Sequence, residues 1–315
     1  MEEHEDDQYC FQDGNSTCKK ASASTSVYTS LYIFFSLISA VTVFLNLLVI
    51  ISISHFKQLH TPTNLLILSL AVSDLLVGLI VIPANTVAIM EPCWVLGEYF
   101  CPLLMYTTFL CTSSSLGHLV LISIDRYVAV CNPLLYPSKV TKTRTWLCIS
   151  INWCCSIIYD AVLIKMSVNV QVPIRCFEEC YFVEKDFWVN IIDNVISMDA
   201  PSSIIITLYL KIFVVARSQS RKVFSKGAAT VFGVKTVQAN KSERKAAKTL
   251  AIVVFNYLIC WIPIYFIQLI YDSSANSSSM FLVFLPLVNS FINPIIYAFF
   301  YPWFKVTAKR ILTLK

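Results

Sequence analysis

The chain carries little charge for its length. Of its 315 residues only 14% are Asp, Glu, Lys or Arg, whereas 57% are hydrophobic and the mean hydropathy is +0.67. Soluble globular domains are typically about 25% charged. This composition therefore excludes an ordinary soluble protein and indicates a chain that crosses a membrane several times.

Histidine is also scarce. The four histidines are His4, His55, His60 and His118, and none has a second ligand at a metal-binding spacing. Because no clustered catalytic set is present either, the sequence predicts that the protein is not an enzyme and has no covalently bound cofactor. The net charge of +5 reflects basic residues gathered on one side of a membrane, so no nucleic-acid partner is predicted.

Seven windows of the sequence are long and apolar enough to cross a membrane. We call them spans 1 to 7, and they cover residues 28–54, 63–90, 99–131, 146–167, 187–215, 247–271 and 280–301. Each holds about 20 predominantly apolar residues, the length that crosses about 30 Å of hydrocarbon. The sequence thus predicts an all-α membrane protein. Residues 1–27 form an extracellular segment, residues 28–302 a seven-helix bundle, and residues 303–315 a short cytoplasmic tail with an amphipathic helix after span 7.

The distribution of charge predicts the orientation of the chain. Basic residues are dense between residues 211 and 248 and in the tail, whereas the N-terminal segment contains six Asp or Glu residues. Since cytoplasmic loops are enriched in Lys and Arg, the N-terminus is expected outside the cell and the protein in the plasma membrane. No signal-peptide pattern precedes span 1, which is expected to act as its own insertion signal. Two sequons, at Asn15 and Asn276, lie on the expected outer side, and glycosylation is predicted at Asn15, since Asn276 is close to the membrane.

Span 7 and the residues after it contain polar groups that are costly in hydrocarbon. The run from Asn289 to Phe304 reads NSFINPIIYAFFYPWF. Unpaired amides cost a few kcal/mol each in hydrocarbon, so these residues imply a polar interior. The run resembles the fingerprint of the trace amine-associated receptors, a branch of the rhodopsin-like G-protein-coupled receptors. In that family Asn-Ser, Asn-Pro, Tyr, an aromatic residue and Trp-Phe recur at this spacing.

The cytoplasmic end of span 3 carries a second family motif, Asp125-Arg126-Tyr127, with Pro133-Leu134 downstream. An arginine at a helix end ordinarily extends its side chain so that the charged group reaches the membrane–water interface, with no further role. The resemblance implies more, namely a switch in which Arg126 pairs with acids at rest and then moves toward tyrosines and receives a G protein. As in the family's olfactory members, a stimulatory heterotrimeric G protein and rising cAMP are expected. The switch residues are Asp125, Arg126, Tyr127, Tyr209, Glu243 and Tyr297.

Asp74 lies in the middle of span 2, where an isolated ionised carboxylate would be strongly destabilising. The side chains expected to surround it are Ser115, Asn289, Ser290 and Asn293. This oxygen-rich set suits a hydrated sodium ion and resembles the allosteric sodium site of the rhodopsin-like receptors. A proton or water molecules alone at Asp74 are the alternative that the residues leave open.

Six of the twelve cysteines are expected on the outer side, where disulfides can form. Six cysteines permit fifteen connectivities, and their spacing does not choose among them. The resemblance implies the pairs Cys101–Cys180, Cys10–Cys176 and Cys18–Cys93. A free pair or two among the last four cysteines remains the alternative.

The resemblance also implies where an amine ligand binds. Most amine receptors of this kind hold the ligand's ammonium group with an Asp in span 3, but the corresponding residue here is Thr108, and Leu287 replaces the tyrosine that supports that Asp. A substitute acid is Asp193, eight residues and about 12 Å outward of Pro201 in span 5. Receptors in a branch expanded in fishes are similar in carrying the acid on this helix. Asp193 is therefore predicted to hold the ammonium group.

Other side chains are predicted to line the same pocket. Asp160 in span 4 is a candidate second acid, and aromatic walls suit a cation. Asp199, about 240° round the helix from Asp193, is expected to face a neighbouring helix. The predicted ligand-binding residues are Asp193, Thr108, Phe109, Asn194, Ser197, Trp261, Tyr265 and Asp160.

Other classes of membrane protein fit the sequence less well. A retinal-binding light sensor needs a lysine in span 7, and residues 280–302 contain none. A transporter is expected to show repeated halves with paired broken helices, which the sequence lacks. The remaining alternative is an aminergic neurotransmitter receptor, such as a serotonin-like one, against which Thr108, Leu287 and the run in span 7 argue.

Overall fold

A computed structural model describes residues 25–90, 96–97, 99–167, 187–225, 249, 251–263 and 284–313. The regular structure of these residues is helical. Several predictions concern residues that lie outside the described part of the chain: Cys10, Asn15, Cys18, Cys93, Cys176, Cys180, Glu243 and Tyr265.

Helices occupy the described part of every predicted span. Span 1 is the helix Thr25–His55. Span 2 consists of Pro62–Leu76, joined by the π turn Val77–Val81 to Ile82–Met90. Span 3 is Phe100–Cys131, and span 4 is Lys142–Ser167. Span 5 consists of Phe187–Asn194, the π turn Val195–Asp199 and Ala200–Ser225, while spans 6 and 7 contain Ala251–Pro263 and Phe284–Phe300. Spans 1 to 5 are long and apolar enough to cross a membrane, and the described helices of spans 6 and 7 are shorter and apolar.

Span 3 packs against spans 2, 4 and 5. Its buried positions Leu116, Leu119 and Ile122 follow at intervals of three residues, and each is at most 2% exposed. This interval places the three side chains on one face of the helix. Between membrane helices such contacts stabilise the bundle through close van der Waals packing, because lipid tails are as apolar as leucine.

A buried hydrogen-bond network joins spans 2, 3 and 4. His118 is fully buried, and its Nε2 lies 2.7 Å from Ser69 Oγ, which also accepts a hydrogen bond from Trp153 Nε1 at 2.9 Å. Asn152 Nδ2 donates to the backbone oxygen of Ser114 at 3.0 Å and lies 3.3 Å from His118 Nδ1. These contacts satisfy polar groups that hydrocarbon would leave without partners.

Spans 3 and 4 approach each other closely at Gly117. A Cβ atom at this position would lie 1.8 Å from Asn152 Oδ1 and 2.7 Å from Asn152 Cγ. Small residues at helix contacts are a common means of close packing in membranes. Any larger residue here would have to displace the Asn152 amide from its contacts with Ser114 and His118.

Gly117→Ala is expected to displace the Asn152 amide and to disturb its hydrogen bonds. Overpacking costs typically about 1–3 kcal/mol, so we expect lower surface expression and a melting temperature in detergent that falls by several degrees. The double variant Gly117→Ala with Asn152→Ala removes the clashing amide and should recover part of the loss. A single variant as stable and as well expressed as wild type would contradict the close approach.

The π turn Val195–Asp199 lies directly before Pro201 in span 5. Proline cannot complete the regular hydrogen-bond ladder, and a π turn adds a residue to one turn and so rotates what precedes it. On the outer side of the turn Asp193 is half-buried, whereas the side chain of Asp199 is exposed. The expectation that Asp199 faces a neighbouring helix of the bundle is therefore wrong.

A helix from Pro302 to Thr313 follows span 7 and packs against span 1. Phe304 and Thr307 are buried on its inner side, and Lys305 and Lys309 are exposed. This helix thus has one buried face and one charged face, as an amphipathic helix does. Its position relative to a membrane stays a prediction.

Candidate functional site

Side chains from spans 3, 4 and 5 form a polar group that we call the outer polar cluster: Ser113, Tyr159, Asp160, Asp193 and Ser197. Asp193 Oδ1 accepts a hydrogen bond from the Tyr159 hydroxyl at 2.8 Å and another from the Ser197 hydroxyl at 3.3 Å. Ser197 also donates to the backbone oxygen of Asp193. The predicted ammonium anchor is therefore held in a defined position by two hydroxyl groups.

The second acid of the outer polar cluster is more deeply buried. Asp160 is 1% exposed and accepts a hydrogen bond from Ser113 Oγ at 2.6 Å. The carboxylates of Asp160 and Asp193 lie close enough to interact electrostatically. Ser113 and Tyr159 were not predicted from the sequence, because their partners lie 47 and 34 residues away and helical periodicity does not report such contacts.

The other predicted pocket residues that the structure describes lie apart from this cluster or at its edge. Thr108 Oγ1 donates to the backbone oxygen of Leu104 at 2.8 Å, so its hydroxyl is bound within its own helix. Asn194 is half-buried beside Asp193. Phe109 packs against the apolar group around Cys101 and Leu104.

Trp261 lies in span 6, half-buried against the central core. Its ring stacks on Tyr257, with ring centroids 5.8 Å apart and an interplanar angle of 27°. Tyr257 itself is 1% exposed. The structure therefore couples Trp261 to the buried middle of span 6.

Asp74 is 1% exposed and accepts a hydrogen bond from Asn293 Nδ2 at 3.0 Å. Ser290 lies beside the same carboxylate. Two predicted members of this group have other partners: Ser115 donates to Ser73 Oγ at 3.0 Å, and Asn289 Oδ1 accepts from Asn256 at 2.8 Å. The structure thus brings Asp74, Ser290 and Asn293 together, with Ser115 and Asn289 turned to neighbouring polar groups.

The polar groups around Asp74 fit a sodium ion. Within the described residues, the Oδ1 atoms of Asp74, Asn293 and Asn46 are buried and have no hydrogen-bond partner. Hard cations prefer oxygen ligands of this kind. A bound cation would satisfy oxygens that would otherwise remain costly in a buried site.

The charges at the cytoplasmic end of span 3 form a tight buried group. Arg126 is 4% exposed, and its Nε and Nη2 donate to Asp125 Oδ2 at 2.9 and 2.6 Å. Nη2 also donates to the hydroxyls of Thr63 and Tyr136. Asp125 in turn accepts from Thr63 at 2.8 Å and from Tyr136 at 2.9 Å. We call these four residues the cytoplasmic lock.

Thr63 and Tyr136 were not predicted from the sequence. Thr63 lies in the first turn of span 2, and Tyr136 begins the short helix Tyr136–Lys139 after span 3. Burial, followed by the nearby Asp125 carboxylate, raises the pKa of Tyr136 to about 12. The phenol therefore keeps its proton near neutral pH and can donate it to Asp125.

Tyr136→Phe is expected to raise basal cAMP several-fold at matched surface expression, because it removes one hydroxyl that holds Asp125 and Arg126 together. Hydrogen bonds to charged groups contribute roughly 1.5–3 kcal/mol. Ser138→Ala removes another hydroxyl from the same short helix and serves as the control, since the Ser138 hydroxyl donates to the backbone oxygen of Leu135 and not to the cytoplasmic lock. Basal cAMP that is unchanged or lower in Tyr136→Phe would count against this role.

The other described switch residues surround the cytoplasmic lock. Tyr127 lies against Lys211, whose Nζ is 6.0 Å from the ring centroid. Tyr209 packs near Tyr127 at the contact between spans 3 and 5. Tyr297 is 1% exposed, and its hydroxyl has no hydrogen-bond partner in the described residues. None of the hydrogen bonds described for Arg126 goes to Tyr209 or Tyr297.

Cys101 begins the outer end of span 3 and is 1% exposed. It is disulfide-bonded, whereas Cys111 and Cys260, within the bundle, are free. Because Cys180 lies outside the described residues, the pairing of Cys101 with Cys180 stays a prediction.

The described helices form an apolar bundle with buried polar groups, among them the Arg126–Asp125 ion pair. Residues 45–297 match the 7 transmembrane receptor (rhodopsin family). The chain is 37% identical to trace amine-associated receptor 13c of Danio rerio, with 100% of this chain and 94% of that protein covered. It is 38% identical to trace amine-associated receptor 6 of Homo sapiens and 8a of Rattus norvegicus, with 97% of this chain and 92% of each covered.

The chain therefore belongs to the trace amine-associated receptors of the rhodopsin family. It is a multi-pass membrane protein and a receptor, not an enzyme. This result confirms the resemblance drawn from the run in span 7.

Proposed function

We propose that this receptor binds a small amine in the outer half of its bundle and holds the ligand's ammonium group with Asp193. The observation that carries this proposal is the half-buried carboxylate of Asp193, oriented by Tyr159 and Ser197. Thr108, at the position where most amine receptors carry the acid, has no charge and uses its hydroxyl on its own helix. The names of the related receptors support an amine ligand.

The experiment is a panel of amines tested on cells that express the full chain, with cAMP as the readout. Each amine is paired with its N-acetylated form, which has a similar shape but no ammonium charge. We expect some amines to raise cAMP and their acetylated forms to be inactive. Acetylated forms as potent as the amines would refute recognition of a charged group.

The same proposal assigns the signal to a stimulatory heterotrimeric G protein, which would bind at the cytoplasmic end of the bundle in place of the contacts that now hold Arg126. The support is the cytoplasmic lock, because Arg126 is a buried cation with several replaceable partners. Trp261 would pass the effect of the ligand inward through Tyr257. A switch of this kind requires two sets of partners with similar free energies.

The same proposal covers the arrangement of the chain on the outer side of the membrane. The N-terminus would lie outside the plasma membrane, with Asn15 glycosylated and Cys10–Cys176 and Cys18–Cys93 holding the N-terminal segment to the outer loops. Cys101–Cys180 would fix the loop above the ligand site. Olfactory detection of amines is the physiological role that fits these assignments.

Sodium would bind at Asp74 as an allosteric ion. Its ligands would include Asp74 and the neighbouring side chains of Ser290 and Asn293, with Ser115 and Asn289 in the surrounding polar shell. The support is the set of buried oxygens that lack hydrogen-bond partners in the described residues. The ion would supply a positive charge that stabilises the buried carboxylate.

A further inference from the structure

Spans 6 and 7 are joined by a side-chain hydrogen bond that the sequence did not indicate. Asn256 Nδ2 donates to Asn289 Oδ1 at 2.8 Å. Asn256 is half-buried and Asn289 is 3% exposed, so the two amides meet inside the bundle. We call this contact the amide bridge.

The amide bridge is a polar contact in apolar surroundings. Val253 and Tyr257 of span 6 and Ile296 of span 7 belong to the same buried core. Apolar contacts are non-directional, so they tolerate small displacements of one helix along another. A hydrogen bond depends steeply on distance and angle. The amide bridge therefore fixes the position of span 6 relative to span 7 more closely than the apolar contacts around it do.

The amide bridge is placed where bending of span 6 would break it. Pro263 has no N–H for the backbone oxygen four residues earlier, so the helix bends most easily there. Asn256 lies seven residues, about 10 Å, on the cytoplasmic side of Pro263. A change of about 20° at the proline would move Asn256 by about 3–4 Å, a displacement that a hydrogen bond does not survive. The bridge therefore persists only while the cytoplasmic part of span 6 keeps its described position.

The same structure contains the amide bridge and the closed cytoplasmic lock, in which Arg126 is held by Asp125. Asn256 directly precedes Tyr257, whose ring stacks on Trp261. The bridge is thus next to the residues that would pass the effect of the ligand inward, and it belongs to the arrangement in which the switch is at rest.

We propose that Asn256 is a positioning residue of the switch, whose bond to Asn289 holds span 6 in the resting position and breaks when the receptor is activated. This inference rests on the proposed function, because it takes the closed cytoplasmic lock as the resting state and cAMP as the signal. Breaking the bridge costs free energy, so the bridge lowers the population of the active state in the absence of ligand. An amine has to offset this cost through its tighter binding to the active state.

The first test is basal cAMP, measured per receptor at the cell surface, in Asn256→Leu. Leucine keeps the approximate volume of the side chain and removes the amide. We expect roughly two- to tenfold higher basal cAMP, which corresponds to about 0.5–1.4 kcal/mol, the range of one neutral hydrogen bond. Ile259→Ala changes an exposed side chain of the same helix; it is the matched control and should behave as the wild type.

A double-mutant cycle tests the pair itself. Asn289→Leu removes the acceptor and should also raise basal cAMP, so it tests the bridge independently of how well Asn256→Leu folds. Because either change alone breaks the bridge, the double variant should rise little above the stronger single variant. A double variant whose increase equals the product of the two single increases would overturn the proposal. Unchanged or lower basal cAMP per surface receptor in both single variants would do the same.

A distance measurement separates the amide bridge from the proposed coupling to cAMP. Nitroxide labels are attached at two exposed positions, Phe255→Cys in span 6 and Phe299→Cys in span 7. The purified full-length receptor is studied in detergent with neither amine nor G protein, after its exposed free cysteines have been replaced by serine: Cys148, Cys154 and Cys155.

We expect Asn256→Leu to enlarge, by the same roughly two- to tenfold, a second population of receptors with a different distance between the labels. Such a population without a change in cAMP would support the amide bridge and refute the coupling to a stimulatory G protein. Identical distance distributions with and without the Asn256 amide would refute the bridge as a restraint on span 6, whatever the cAMP result.

Discussion

Asp193→Asn is expected to weaken amine potency by at least about thirtyfold at equal surface expression. Truncating one partner of a buried charged pair costs roughly 2–5 kcal/mol, and each 1.4 kcal/mol is tenfold. Asn keeps the shape of the side chain and an oxygen that can accept the Tyr159 hydroxyl, so the loss should concern charge and not folding. The measurement is a concentration–response curve for cAMP.

Asp199→Asn is the matched control for this variant, because it removes an acid from the same span on the exposed side. Its potency should equal that of the wild type. Unchanged potency in Asp193→Asn would show that the ammonium group binds elsewhere. The double variant Thr108→Asp with Asp193→Asn moves the acid to span 3 and should change which amines activate the receptor.

Arg126→Ala is expected to abolish the cAMP response to amines while leaving amine binding intact. Arg126 lies at the opposite end of span 3 from the outer polar cluster, and it is the cation of the cytoplasmic lock. Removing it leaves the buried Asp125 carboxylate without its cation, a change that costs typically about 3–5 kcal/mol. Surface expression must therefore be measured together with ligand binding and cAMP.

Arg144→Ala is the matched control among the cytoplasmic arginines. Its exposed guanidinium donates to the backbone oxygens of Ser138 and Lys139 and has no part in the cytoplasmic lock. We expect its cAMP response to stay near that of the wild type. A full response in Arg126→Ala at equal surface density would contradict the switch.

Much of the helical architecture could be predicted because hydropathy depends on local sequence. The windows for spans 1 to 5 coincide with helices of membrane length. The run in span 7 identified the family, since it is a contiguous motif. Local sequence also placed Asp193 and Ser197 on a common face four residues apart, and the structure joins them by a hydrogen bond.

The contacts between helices could not be predicted from local hydropathy or contiguous motifs. Tyr159 reaches Asp193, and Thr63 reaches Asp125, only because of how separate helices pack. The hydroxyl of Ser115 donates to Ser73, the residue next to Asp74, and the sequence did not indicate this contact. Asp199 was misplaced because a regular helix was assumed, whereas the π turn rotates this part of span 5.

The network around His118 has a consequence for how this receptor can move. The His118 ring contacts both neighbouring spans: its Nε2 lies 2.7 Å from Ser69 Oγ, and its Nδ1 lies 3.3 Å from Asn152 Nδ2, which also donates to the backbone oxygen of Ser114. Asn152 Nδ2 bridges Ser114 and His118, and hydrogen bonds weaken steeply when their geometry is disturbed. Sliding or rotation among spans 2, 3 and 4 would therefore break several bonds at once, and the degrees of freedom available for a conformational response lie in the remaining helices.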